Sequence, residues 1–201
     1  MMIPFDEKFP VHTETLTNVK DLNRILENDI RESGDGLQGR NASAKCLMTR
    51  WDMHDQYKSF RMLGNAAIQL ASLMPLAPRT HQDGTQYPVE YKVSTSWGLI
   101  YTNGQSTSSH THWPDTWSWT YCVSACEDCS PLVFTHADYS IKPQESQMII
   151  FPGWLHHEVP THSWDHERIM IAGNLVSLYN LNCLYTFHYV KISHHKKGDI
   201  T

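Results

Sequence analysis

The chain has 201 residues and a formal charge of −5, with 16 Lys+Arg against 21 Asp+Glu. That length suits one domain with a substantial core and excludes a pair of independent enzyme domains. The acidic balance disfavours nucleic acid and anionic membranes as partners, and no window reaches the roughly 18 apolar residues of a membrane span. The opening MMIPFDEKFP lacks a leader's charged and apolar regions. The five cysteines, three of them clustered at Cys122, Cys126 and Cys129, do not resemble an evenly spread disulfide framework. A soluble protein of the cytoplasm is expected.

In chain order, Val19, Leu22, Ile25, Leu26 and Ile30 follow helical spacing after a Thr17 or Asn18 cap, and SGDG ends that run. A second, cleaner stripe of Phe60, Leu63, Ala67, Leu70, Ala71 and Met74 predicts a helix over about 55–74, stopped by Pro75 and Pro78. Beyond it the texture changes to short runs: VEYKVSTSWGLIY, WSWTYCVSA, PLVF, SQMIIF, RIMIAGNLV and CLYTFHYVKI, divided by turn-forming clusters. The polar tail SHHKKGDIT reads as frayed. Helices followed by many strands make an α+β, mainly β fold, a sandwich, barrel or jelly roll with helices segregated onto one face.

Strand alternation assigns the faces. Trp117, Trp119, Tyr121 and Val123 share one side of their run, suited to packing under helices, while Ser118, Thr120 and Cys122 share the other and line a cavity. In RIMIAGNL, Ile169, Ile171 and Leu175 share one face, and Arg168, Met170, Ala172 and Asn174 the opposite one. An inward guanidinium is costly without an acceptor, so Arg168 calls for a carboxylate, either from the protein or from a ligand.

Two histidines one residue apart, His110 and His112, send their rings to the same side of an extended segment, and imidazole suits iron, copper, nickel or zinc. A second cluster, FPGWLHHEVP, is followed by Arg168. His156 and His157 are adjacent, so only one can face inward. His157 shares parity with Leu155 and Val159, which leaves His156 and Glu158 at the outer edge.

From about Trp97 to Leu175 the chain resembles the iron(II)- and 2-oxoglutarate-dependent oxygenases. It is especially similar to a microbial and phage branch with H-x-H, W-S-G-x-Y-Y-V, G-P-L-V-F, F-P-S-W-L-x-H-x-V and R-I-S-I-A-F-N. This chain reads H-T-H, W-S-W-T-Y-C-V, S-P-L-V-F, F-P-G-W-L-H-H-E-V and R-I-M-I-A-G-N in the same order. The resemblance implies a double-stranded β-helix (jelly roll) with N-terminal helices on its larger sheet. It suggests one oxygenase-like domain over 1–201, with a helical buttress over about 1–80 and a jelly-roll core over about 88–192.

It further implies His110 and His157 as iron ligands and Arg168 as partner of the 2-oxoglutarate C5 carboxylate, with Ser118 and Thr120 able to hydrogen-bond that co-substrate. Most members carry Asp at the second ligand position, where this chain has His112. Either His112 completes a three-histidine centre or a carboxylate arrives from elsewhere, Asp115 being the nearest. The implied activity is a hydroxylase using Fe(II), 2-oxoglutarate and O2, releasing succinate and CO2, in the host cytoplasm if phage-encoded. Its substrate would be a small molecule or an amino-acid side chain.

Two rivals stand beside it: a three-histidine cupin dioxygenase that needs no 2-oxo acid, and a non-catalytic jelly-roll binding protein. The C-x3-C-x2-C spacing of Cys122, Cys126 and Cys129 also matches iron–sulfur and, in part, zinc sites. Cys122 falls inside an alternating strand, however, and the stretch is read as a hairpin with thiols at its tip.

Overall fold

The computed structural model describes residues 10–33, 42–74, 79–80, 84, 86–87 and 89–178. The strand expected in CLYTFHYVKI and the tail beyond it lie outside these residues, as do Gly34, Asp35, Gly36, Pro75 and Pro78 of the expected helix stops. The first half of the chain holds β1 (His12–Thr15), α1 (Lys20–Glu32), β2 (Ala44–Lys45), β3 (Leu47–Met48), α2 (Met53–Gln56), α3 (Lys58–Ala71) and a minimal pair, β4 (Arg79–Thr80) with β5 (Gln86–Tyr87). The strands β6 (Glu90–Tyr101), β7 (Ser106–His110), β8 (Trp117–Ser124), β9 (Leu132–Phe134), β10 (Tyr139–Ile141), β11 (Gln147–Pro152), β12 (His157–Val159) and β13 (Arg168–Leu178) follow.

These strands form a major sheet in the order β1-β11-β8-β13-β6-β3 and a minor sheet in the order β10-β9-β12-β7-β2, all neighbours antiparallel. Two cores follow from the period of two. Trp117, Trp119, Tyr121 and Val123 of β8, Met148 and Ile150 of β11, and Ile169, Ile171 and Leu175 of β13 pack under Leu26 and Ile30 of α1 and Phe60, Leu63 and Ala67 of α3. Their alternates, including Cys122, Ile149, Phe151, Met170 and Ala172, fill the space between the sheets with Trp97, Leu99 and Tyr101 of β6. The expected parity of Trp117, Trp119 and Ile171 is the one observed, and the fold is mainly β with helices on the outer face of the major sheet.

The helices approach that sheet closely where it lacks side chains. A Cβ at Gly98 would sit 2.4 Å from Ile30 of α1, so only glycine admits the helix at that depth.

Three sequence-based expectations are corrected. Neither Thr17 nor Asn18 caps α1: Asn18 takes a left-handed conformation (φ 58°), and Val19 stands at the N-cap without a side-chain hydrogen bond. Ile25 is 47% exposed, and the inward position on that face belongs to Asn23. Asn23 accepts from Tyr121 Oη at 2.6 Å and donates to Ser146 Oγ at 3.2 Å, which makes a buried amide tolerable. The helix expected over 55–74 is two helices, broken where Tyr57 is extended (φ −118°, ψ 129°). No helix among the described residues is long and apolar enough to cross a membrane.

Candidate metal centre and its cavity

Between the sheets lies a cavity of about 490 Å³, within the range of small-molecule sites. The minor sheet contributes two histidines as direct cross-strand partners: His110, the last residue of β7, pairs with His157, the first of β12. His112 lies past the end of β7, in a loop pinned by its backbone N–H donating to Gly153 O at 2.7 Å. The ring centroids are 4.8 Å (His110–His112), 4.3 Å (His110–His157) and 5.1 Å (His112–His157) apart. One ring nitrogen from each lies within 4.8 Å of the others, and no other group of three or more such ligands occurs among the described residues.

Burial sets their protonation. It pushes His112 and His157 down to about 3, and lowers His110 as well, so all three are neutral near pH 7, each with one ring nitrogen unprotonated. The Nδ1 atoms of His110 and His157 donate to the carbonyls of Ser108 (2.8 Å) and Leu155 (2.9 Å), leaving Nε2 free on both. His112 Nδ1 meets Asn174 Nδ2 at 3.4 Å. His156 turns away from the cluster, its ring 4.5 Å from that of His136, and Glu158 is only partly buried.

Across the cavity on the major sheet, Arg168 is 2% exposed, with its guanidinium carbon 4.9 Å from the centre of the Tyr101 ring. Among the described residues no carboxylate lies within 4.0 Å of it, and its Nε has no hydrogen-bond partner. Thr120 also lines the cavity with a buried hydroxyl oxygen that lacks a partner. The hydroxyl of Ser118 is instead turned to Asn174 Oδ1, at 2.9 Å. Asp115 reaches the cavity wall and accepts from Ser94 Oγ at 2.9 Å, but it is not part of the histidine group; burial raises its pKa.

Sequence reasoning placed Asn174 on the inward face without giving it a partner, and its position in the matched R-I-M-I-A-G-N block was the available signal. The rim is aromatic: Trp51 is 51% exposed and Trp113 74%, and the Trp51 ring centre lies 6.3 Å from that of Trp97. The described cysteines form no second ligand group. Cys122 points between the sheets, its thiol pushed up to about 12 by burial, and Cys129 Sγ accepts from Cys126 N–H in the turn after β8.

No protein-family model matches the chain, and no curated protein matches it by sequence. Solved structures do match by shape. The viral collagen prolyl hydroxylase of Paramecium bursaria Chlorella virus-1, in a 2-oxoglutarate complex, is 14% identical with a TM-score of 0.62 over 82% of this chain and 94% of its own. A prolyl-4-hydroxylase of Pseudomonas putida is 14% identical with a TM-score of 0.61, covering 84% and 93%. HygX of Streptomyces hygroscopicus, with nickel and 2-oxoglutarate bound, is 9% identical with a TM-score of 0.60, covering 86% and 85%. The chain therefore has the jelly-roll fold of these two prolyl hydroxylases and of HygX.

Proposed function

We propose that the protein is an iron(II)- and 2-oxoglutarate-dependent oxygenase that hydroxylates a small molecule or an amino-acid side chain. The observation that carries this reading is the pairing of a three-imidazole cluster with a buried guanidinium that meets no carboxylate among the described residues. An uncompensated buried charge is expensive, and a dicarboxylate that reaches the metal at one end offers its other carboxylate to Arg168. Thr120 Oγ1 adds a second polar group in need of a partner.

The donor set fits the metal: neutral imidazoles suit iron and its first-row neighbours, and two of the three are already oriented by carbonyls. His110, His112 and His157 would hold it. Iron, the 2-oxo acid and O2 would supply the oxidation, with one oxygen atom entering the substrate as hydroxyl and the other entering succinate as CO2 leaves. The chain binds, orients and shelters. Arg168 holds the far carboxylate, Ile149, Phe151, Leu99 and Met170 keep the interior apolar, and the rim of Trp51 and Trp113 receives the second substrate.

A cupin dioxygenase acting without a 2-oxo acid would have no use for the unpaired Arg168, and a binding module would have no use for three convergent, neutral imidazoles. The experiment is an anaerobic titration with Fe(II) and then 2-oxoglutarate, followed by visible absorption. A weak charge-transfer band that needs both additions is expected. Iron binding with no response to 2-oxoglutarate would favour the cupin reading, and no iron binding would favour the binding module.

A further inference from the structure

Two members of the histidine cluster are locked by main-chain carbonyls, and the third is not. A carbonyl oxygen only accepts, so Nδ1 of His110 and of His157 carries the proton, and Nε2 of each presents a lone pair. His112 Nδ1 meets the side-chain amide nitrogen of Asn174. An amide nitrogen only donates. In this arrangement Nδ1 accepts and the proton resides on Nε2, so the nitrogen that Asn174 does not occupy lacks the lone pair a metal needs.

The surroundings of Asn174 allow the opposite arrangement equally well. As it stands, Oδ1 accepts from Ser118 Oγ at 2.9 Å and Nδ2 donates to Thr95 Oγ1 at 3.0 Å. Both flanking groups are hydroxyls, which donate or accept by rotating one hydrogen. Half a turn of the amide then lets Nδ2 donate to Ser118 Oγ, while Oδ1 accepts from Thr95 and from an Nδ1 proton on His112. Asn174 is buried, so the choice is made within this network.

We propose that Asn174 is the positioning residue of His112, its amide presenting Oδ1 to Nδ1–H when Nε2 is on the metal. The inference rests on the metal centre proposed above and adds how its third ligand acquires the right tautomer. Metal loading and the amide turn become one event, and Ser118 and Thr95 act on the centre through Asn174.

The test measures Co(II) dissociation constants and, on the Zn(II)-loaded wild type, the long-range 1H–15N spectrum of the histidine rings. Asn174→Leu, which keeps the shape and removes the acceptor, should weaken Co(II) binding about 10–100-fold. Asn174→Asp, which can only accept, should bind Co(II) at least as tightly as the wild type. In the spectrum His112 should carry its proton on Nδ1 and the metal on Nε2. A merely structural role predicts that both substitutions weaken binding alike, and that outcome overturns the proposal. So does an unaffected Asn174→Leu, or ligation of His112 through Nδ1. If Asn174→Leu does not fold, the wild-type spectrum decides alone. A wild type that takes up no Co(II) overturns the metal centre itself, whereas a wild type that binds it while the variants fail the pattern leaves the centre standing and removes only the role of Asn174.

Discussion

Gly173 of β13 lies directly opposite Trp119 of β8, and a Cβ on Gly173 would fall 2.5 Å from the indole ring. The oxygenase pattern that this chain resembles has glycine in the first strand and phenylalanine in the second, W-S-G and R-I-S-I-A-F-N. Here the bulk is exchanged: the large ring comes from β8, and β13 yields the space. Gly173→Ala should cost about 1–3 kcal/mol, since the fully buried ring has nowhere to go. Trp119→Gly alone should cost at least about 3 kcal/mol through the cavity it leaves. The double variant Trp119→Gly with Gly173→Phe should be more stable in urea titration than the summed effects of Trp119→Gly and Gly173→Phe made singly. Strict additivity would show that the two positions do not share one space.

Strand faces were legible because they depend on a period of two that a single sequence displays directly. Trp117, Trp119, Ile171 and Arg168 all sit where alternation puts them. The histidine cluster was legible only through matched blocks, since His110 and His157 are 47 positions apart and meet by strand pairing. What stayed hidden depends on distant partners. Nothing local says that Asn23 replaces Ile25 in the core, because Tyr121 and Ser146, 98 and 123 positions on, satisfy its amide there. The break at Tyr57 and the turn of Ser118 toward Asn174 are hidden for the same reason.

Asn23 gives a second prediction. Asn23→Ala should strand the buried Tyr121 hydroxyl and lower stability by about 1–3 kcal/mol. The double variant with Tyr121→Phe should recover part of that loss. Equal stability of wild type and Asn23→Ala in thermal unfolding would count against the buried link from α1 to β8.

Arg168→Ala should leave Co(II) binding intact while weakening 2-oxoglutarate by about 30-fold or more, from the loss of about 2 kcal/mol of charge-assisted contact. Succinate formation against 2-oxoglutarate concentration measures it. Arg168→Lys should recover only part, since an ammonium lacks the planar fork. An active wild type whose 2-oxoglutarate dependence is unmoved by either change would refute the assignment.

Loss of a metal ligand should act differently. His157→Ala is expected to reduce Co(II) affinity by at least about 100-fold, more than loss of a supporting hydrogen bond would. Wild type should gain thermal stability with added metal, and the variant should not.

The metal-free fold should be acid-sensitive at the cluster. His112 and His157 fall from 6.5 to about 3 on folding, so between those values the unfolded chain binds more protons than the folded one. Their contribution is fully present above pH 6.5 and is lost as pH falls toward 3. By pH 5 the loss is at most about 2 kcal/mol for each histidine. Urea unfolding at pH 7 and pH 5 should show a smaller difference in His112→Gln than in wild type.

The proposed ligands and the proposed clamp belong to different layers of the sandwich: His110 and His157 stand on the minor sheet, Arg168 on the major. A dicarboxylate joining them would act as a rivet through both layers, and its length would set their spacing. Packing residues that touch no ligand then become calipers. Trimming Leu132 of β9 or Met170 of β13, both between the sheets, would let the layers settle closer and change which 2-oxo diacid spans the gap. Length preference among such diacids is therefore a property of the core as much as of the arginine.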